Sequence, residues 1–382
     1  MVAHDQLIAE ARAQTGLEDF GQDSFRDGLE RLVRALREEA TLNVAGQAAL
    51  RELIVGLLAQ RLQVEDWYRR YPEIDDEQIE RPLFGLGLPR TGSTALSHLL
   101  AQDPAARSLR MWEASRPCPP PSTVEGPDPR VERGHAELRE QSRAAPRRGA
   151  LVPSTATGPT ECQPLMGLDF KAHYFQAFAR IPSYSSWLLH DADLTPTYAY
   201  ERRVLKLLQW GSPARPWRLK CPTHLLFLDH LDQVFPDARF VMTHRDPVEV
   251  IVSVADLYAE IAGRFTDDLD RRYLGALNVE HWSAGMRRAL DFRDRRGADR
   301  FCDIDFRAMQ RDPLGEVARL YAWLGEPVTE EFEAGMRGWW RENAEQREPN
   351  VHPDPAAFGI DTCQVRPLFT GYTARMTRWT ER

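Results

Sequence analysis

Leu83-Phe84-Gly85-Leu86-Gly87-Leu88-Pro89-Arg90-Thr91-Gly92-Ser93-Thr94-Ala95-Leu96 is the stretch whose reading decides the fold. An apolar run of strand character ends in a glycine-bounded turn, and a helical pattern through Leu96, Leu99 and Leu100 begins at Ser93 or Thr94. Glycines let backbone N–H groups approach an anion closely, and a helix N-terminus adds partial positive charge. Gly87 and Gly92 stand at the G-x-x-x-x-G spacing of a phosphate-binding loop, but the Lys that should follow is Ser93, and the cation comes earlier, as Arg90. A kinase or ATPase uses that Lys on its β- and γ-phosphates and the next Ser/Thr on magnesium. The loop therefore predicts a site for a phosphate-like group without ordinary ATP chemistry. On this stretch alone, a glycine-rich turn with no ligand is the competing reading.

Composition narrows the partners. The chain has 382 residues, 42% of them hydrophobic, enough for one large α/β domain with additions. Its formal charge of −8 supplies no global basic field for nucleic acid, so an anion site must be local. Cys118, Cys162, Cys221, Cys302 and Cys363 are scattered, with no C-x-x-C pair. That pattern predicts reduced thiols in a cytoplasmic protein, without a disulfide framework or a zinc site. Met1-Val2-Ala3-His4-Asp5 opens no signal peptide, and no apolar run is long enough to span a bilayer.

Residues 1–80 read as a helical appendage, with one stripe at Leu29, Leu32, Val33 and Leu36 and another at Leu50, Leu53, Ile54, Leu57, Leu58 and Leu62, closed by Pro72. It carries no chemical motif and offers either a cleft wall or a surface for a homo-oligomer. Residues 81–382 read as the α/β domain. Arg107 to Ala114 is expected to enter a second strand, stopped by the prolines from 117 to 121. Residues 117–160 read as a surface excursion or lid with one helix near 128–143, and 161–210 as helical and rich in aromatics. From Trp217 the pattern alternates. Strands are predicted at Trp217–Lys220, Ala238–Thr243 and Phe301–Ile304, and helices at Leu225–Val234, Val248–Tyr258 and Leu314–Leu324. Such alternation implies right-handed crossovers and a parallel sheet flanked by helices. One further helix with Trp339 and Trp340 is expected, then an irregular tail from Phe358 to Tyr372.

The second polar constellation closes the strand at Thr243. Pro247 suits the first turn of the following helix, so Arg245 sits at the C-terminal edge of the sheet, where α/β proteins bind ligands. Ser253 lies eight residues on, on a helix face that can return to the same edge. A guanidinium and a hydroxyl so placed suit a terminal phosphate. A surface Arg and a small packing Ser would be the structural alternative.

Together these stretches resemble the bacterial sulfotransferases that use 3′-phosphoadenosine 5′-phosphosulfate (PAPS). The resemblance assigns Pro89, Arg90, Thr91, Gly92, Ser93 and Thr94 to the 5′-phosphosulfate, and Arg245 and Ser253 to the 3′-phosphate. It aligns Lys220-Cys221-Pro222-Thr223-His224 with the family's K-x-P-x-H strand end, and the stretch from Asp303 to Pro313 with its late strand and linker. The likeness covers most of the chain. Arg90 and Pro222 stand where the cytosolic eukaryotic branch has Lys and His; no R-K-G clamp is recognisable; the tail reads His352-Pro353-Asp354 rather than H-[RK]-Y.

What the resemblance implies is sulfuryl transfer to a hydroxyl of a small acceptor, apolar or aromatic if the 170–187 aromatics line its pocket. Arg90 would hold the 5′-phosphate, Lys220 would reach the leaving oxygen, and no metal is required. A base must take the acceptor proton. Glu113, Glu161 and His224 are the candidates, with a glutamate favoured and Glu113 and Glu161 not separable. A P-loop kinase or NTPase and a non-catalytic nucleotide-binding scaffold are the alternative functions.

Overall fold

The structure, a computed structural model, describes residues 3–144, 155–344 and 353–380. Among the described residues the strands are β1 (Leu83–Gly87), β2 (Arg107–Ser108), β3 (Trp217–Lys220), β4 (Arg239–His244) and β5 (Phe301–Asp305). They form one parallel sheet in the order β2-β3-β1-β4-β5. β1 is central, with Gly85 opposite Lys220 on one side and Gly87 opposite Thr243 on the other. It is buried at every position, as a parallel strand covered by helices on both faces must be. Because every strand runs the same way, Gly87, Lys220, His244 and Asp305 all end at one edge. The loops that follow them build the candidate site.

The first helix of the sheet, Ser93–Leu100, packs Leu96, Leu99 and Leu100 with Val241, Ile304 and Met309 on one face. The opposite face belongs to a larger core that also takes in Leu29, Leu32, Leu50, Ile54, Leu58 and Leu62. These come from the helices Ser24–Glu38 and Val44–Arg70, and the latter ends before Pro72. Arg61 fastens them to the rest. It is fully buried, donates to the carbonyls of Phe20, Gln22 and Leu168 at 2.8, 2.8 and 3.1 Å, and faces Asp169 at 3.5 Å. Asp169 also accepts from Thr197 at 2.8 Å and lies 3.2 Å from Lys171.

Three expectations are corrected. The second strand is only Arg107–Ser108, and Met111–Ser115 is a short helix. Its start is set by Glu113, whose Oε2 accepts from the Arg110 amide at 3.2 Å, so a carboxylate three residues inside the turn wins over strand character. The tail is helical, in Thr362–Leu368 and Thr370–Thr380. The helix after β3 is split, Pro222–Leu226 being a tighter 3₁₀ turn before Leu228–Val234. A long helix not read from sequence, Arg271–Arg296, packs against the helix Pro247–Ala262.

The excursion after residue 116 contains the helix Pro129–Ala144 and returns beside the Met111 turn, where Met111 and Trp112 amides donate to Gly158 and Ala156 at 3.0 and 3.1 Å. Residues 145–154 of that lid candidate and His352 of the tail lie outside the described residues. No helix among the described residues is long and apolar enough to cross a membrane.

Candidate active site

The loop after β1 is shaped by backbone that an ordinary residue resists. Gly87 has φ +129°, and a Cβ there would lie 2.6 Å from the Thr243 carbonyl oxygen. Gly92 has φ +85°, and a Cβ there would stand 3.0 Å from the Phe306 ring. Arg90 between them also has positive φ, at 63°. The Thr91 hydroxyl donates to the Leu88 carbonyl at 2.7 Å and meets the Thr243 hydroxyl at 2.6 Å, fully buried. Thr91 therefore anchors the loop with its side chain and has only its backbone amide to offer an anion. Ser93 is buried, whereas Thr94 is exposed at the head of the helix.

Two cation groups flank this loop. On the β4 side, Arg90 Nε donates to Ser253 Oγ at 3.2 Å, and Arg245 Nη1 donates to the Arg90 carbonyl at 3.1 Å. Burial lowers the affinity of the Arg90 guanidinium for its proton, and neighbouring Arg245 lowers it further. Two guanidiniums held this close mark a place for added negative charge. Arg245 is balanced by Glu249 at 3.0 Å and lies over the Phe306 ring at 4.8 Å. Its carbonyl accepts from the Tyr372 hydroxyl at 3.4 Å, which ties the C-terminal helix to the site.

On the β3 side, Lys220 Nζ lies 2.8 Å from Glu161 Oε1 and 3.3 Å from Thr94 Oγ1. Lys220 is buried, while the Glu161 side chain keeps 39% of its exposure and so opens toward solvent. The Cys162 amide donates to the Lys220 carbonyl at 3.2 Å, holding the Glu161 segment along the end of β3. His98, stacked on Trp339 with ring centroids 5.0 Å apart, is kept neutral, its pKa pushed down to about 4 by burial and by Lys220.

The other two base candidates are placed differently. Glu113 is buried, with Oε1 on Arg107 at 3.0 Å and Oε2 on the Arg110 amide, so both oxygens are engaged in shaping the turn. His224 is fully buried on the core side of the 3₁₀ turn, edge-on to Phe84 and 2.9 Å from the Tyr198 hydroxyl, and burial pushes its pKa down to about 3. It is not among the groups that Lys220 contacts.

Several supporting residues were missed from sequence. Glu249 stands four residues after Arg245, a spacing that could have found it, whereas Thr243, Phe306 and Tyr372 act through tertiary contacts that no local spacing encodes. The same holds for Asp303, which binds Arg293 through both oxygens at 2.7 and 2.9 Å and His244 at 2.8 Å beneath the site.

With this geometry, comparison with known proteins is informative. A model of the "Sulfotransferase family" matches residues 82–330. The structure is similar to that of sulfotransferase STF9 from Mycobacterium avium, with 34% identity, TM-score 0.91, and coverage of 98% of this chain and 97% of that one. It is also similar to sulfotransferase STF1 from Mycobacterium tuberculosis H37Rv, with 32% identity, TM-score 0.84, and coverage of 97% and 99%. No match was found among curated proteins.

Proposed function

The chain belongs to the sulfotransferase family, and from that premise we propose that it moves a sulfuryl group from PAPS to a hydroxyl of a small acceptor. The observation that carries the reading is the contact of Lys220 with both Thr94 and Glu161, at 3.3 and 2.8 Å, beside the glycine loop. A cation, a helix N-terminus and a carboxylate thus meet beside the loop, and these are the groups that handling a leaving oxygen and an acceptor proton together calls for.

In this account Arg245 and Ser253 hold the 3′-phosphate. Arg90, joined to Ser253, shares its charge between that phosphate and the 5′ end. The backbone amides of the loop from Thr91 and the Thr94 hydroxyl receive the 5′-phosphosulfate. Lys220 leaves Glu161 for the oxygen that bridges phosphorus and sulfur, and stabilises the charge that grows there as the S–O bond breaks. Glu161, freed, accepts the proton of the acceptor hydroxyl as its oxygen bonds to sulfur. The products are a sulfate ester and 3′-phosphoadenosine 5′-phosphate, so atoms and charge balance without a metal. Glu113 and His224 take structural parts.

The acceptor side rests on the aromatics of the segment after Glu161 and of the Ser253 helix. Tyr174 and Phe178 of that segment make an edge-on pair at 5.3 Å, and Tyr258, buried on the helix, has its hydroxyl's pKa raised by burial and then by Glu161. These favour an apolar or aromatic alcohol over a highly charged one. The test is direct: incubate the protein with PAPS and a panel of phenols, aliphatic alcohols and sugars, and follow 3′-phosphoadenosine 5′-phosphate release and sulfated product. Release that depends on a phenol or apolar alcohol supports the reading. Tight PAPS binding with no product across the panel, or preferential binding of magnesium-ATP, overturns it.

A further inference from the structure

Behind the Lys220–Glu161 pair lies a second cluster that sulfuryl transfer does not use. Cys162, Glu201 and His224 come from three separate segments, and each is fully buried. One atom from each — thiol sulfur, carboxylate oxygen, ring nitrogen — lies within 4.8 Å of the other two. Outside the cluster neither oxygen of Glu201 nor Nε2 of His224 has a hydrogen-bond partner among the described residues, and within it Glu201 meets only the Cys162 thiol, a weak donor. Buried polar atoms with so few partners are costly, and native interiors rarely leave them without an ion, a water or a shared proton between them.

We propose that Cys162, Glu201 and His224 bind a structural divalent cation, with zinc the ion their chemistry fits best. A thiolate, a carboxylate and a neutral imidazole carry two negative charges, which a dication cancels inside the core. Sulfur, nitrogen and oxygen together are a donor set that zinc accepts. Ordinary zinc bonds place ligand atoms roughly 3.3–3.8 Å apart, so the three atoms have to close by no more than about 1.5 Å. The imidazole is already oriented: the Tyr198 hydroxyl sits 2.9 Å from Nδ1, and with Nδ1 as donor the lone pair of Nε2 faces the cluster. Burial favours the neutral imidazole needed for coordination. It also raises the pKa of Glu201 to about 8 and that of the Cys162 thiol upward, so an ion would have to displace protons to bind.

The site would matter because of what it pins. Cys162 follows Glu161 in sequence and binds the Lys220 carbonyl through its amide, and His224 sits in the 3₁₀ turn just after Lys220, its amide donating to the Cys221 carbonyl. The ion would hold both segments to the helix Thr195–Gln209, which carries Glu201. Positions 162, 201 and 224 show none of the short ligand spacings by which a sequence announces zinc, which is why the expectation from the cysteines was the opposite.

The experiment is metal analysis of the untagged full chain, purified without chelating resin. The proposal expects about one zinc per chain, lost in Glu201→Gln and in Cys162→Ser. Because those variants can fail to fold, wild-type protein is also unfolded, stripped and refolded with Co²⁺. A thiolate-to-cobalt charge-transfer band in the near ultraviolet is expected, together with a melting temperature several degrees above that of the metal-free protein. Wild-type protein holding under about one-tenth zinc per chain, with no cobalt spectrum and no metal-dependent rise in melting temperature, overturns the proposal. An infrared C=O band of a protonated carboxyl in the wild type, lost in Glu201→Gln, also overturns it, since it shows a proton in the ion's place.

Discussion

Replacing Arg245 by Ala separates the two ends of the proposed donor site. Arg245 is held by Glu249 at 3.0 Å, and the Glu249 side chain is 45% exposed. A pair that open contributes about 0–1 kcal/mol, so releasing it to bind a phosphate costs little. A charge-assisted contact to phosphate is worth roughly 1.5–3 kcal/mol. With the pair taken at about 0.5 kcal/mol, the difference leaves about 1–2.5 kcal/mol, or roughly five- to seventyfold in affinity. Calorimetry should therefore show 3′-phosphoadenosine 5′-phosphate weakened by that factor, and adenosine 5′-phosphate by less than about twofold. Glu249→Gln should move the bisphosphate the other way, tightening it by a few fold, because Arg245 no longer has a competing partner. One complication is built into the site: Arg245 also donates to the Arg90 carbonyl at 3.1 Å. If that support were the main role of Arg245, both nucleotides would weaken equally on its removal, and such a result refutes the assignment of Arg245 to the 3′-phosphate.

Two stability predictions follow from the buried networks. Arg61→Ala removes donors to three carbonyls and leaves Asp169 facing Lys171 without its guanidinium neighbour, so denaturant unfolding should show a loss of about 3–5 kcal/mol. A loss below about 1 kcal/mol would mean the N-terminal helices are held by apolar contact alone. Burial works to raise the Asp303 pKa, but hydrogen bonds from Arg293 and His244 hold it down at about 2. A folded pKa below the unfolded one means this stabilisation is present above about pH 4 and is lost as pH falls toward 2. Unfolding measured from pH 5 to 2 should show a slope that Asp303→Asn flattens, and an unchanged slope would contradict the network.

The sheet was legible because its strands are apolar runs that end in chemistry. β1, β3, β4 and β5 carry that signature, and each stops within about one residue of its expected end. The loop was legible from Gly87 and Gly92, whose positive φ and close neighbours demand glycine. The Arg107–Ala114 stretch misled because its side chains read as a strand while Glu113, bound to the Arg110 amide, starts a helix. The tail misled because it shows no clear apolar stripe, whereas Asp361 caps the helix Thr362–Leu368 by accepting from the Cys363 amide at 2.9 Å. The helix Arg271–Arg296 has charged residues distributed around much of its circumference, which hides its apolar stripe. Choosing between Glu113 and Glu161 was beyond sequence altogether. It depends on Arg107 reaching one and Lys220 the other, and both contacts are made only when the sheet is assembled.

The most direct measurement is turnover of Glu161→Gln beside Glu113→Gln, with an acceptor that the wild type sulfates. Gln keeps the shape of Glu and lacks its affinity for a proton. Glu161→Gln should lower kcat by about two to four powers of ten while affinity for 3′-phosphoadenosine 5′-phosphate barely moves. Glu113→Gln should lower the melting temperature, through the lost Arg107 pair, with kcat within about threefold of wild type. Near wild-type turnover of Glu161→Gln, or a collapse of kcat confined to a well-folded Glu113→Gln, would contradict the assignment of Glu161 as the base.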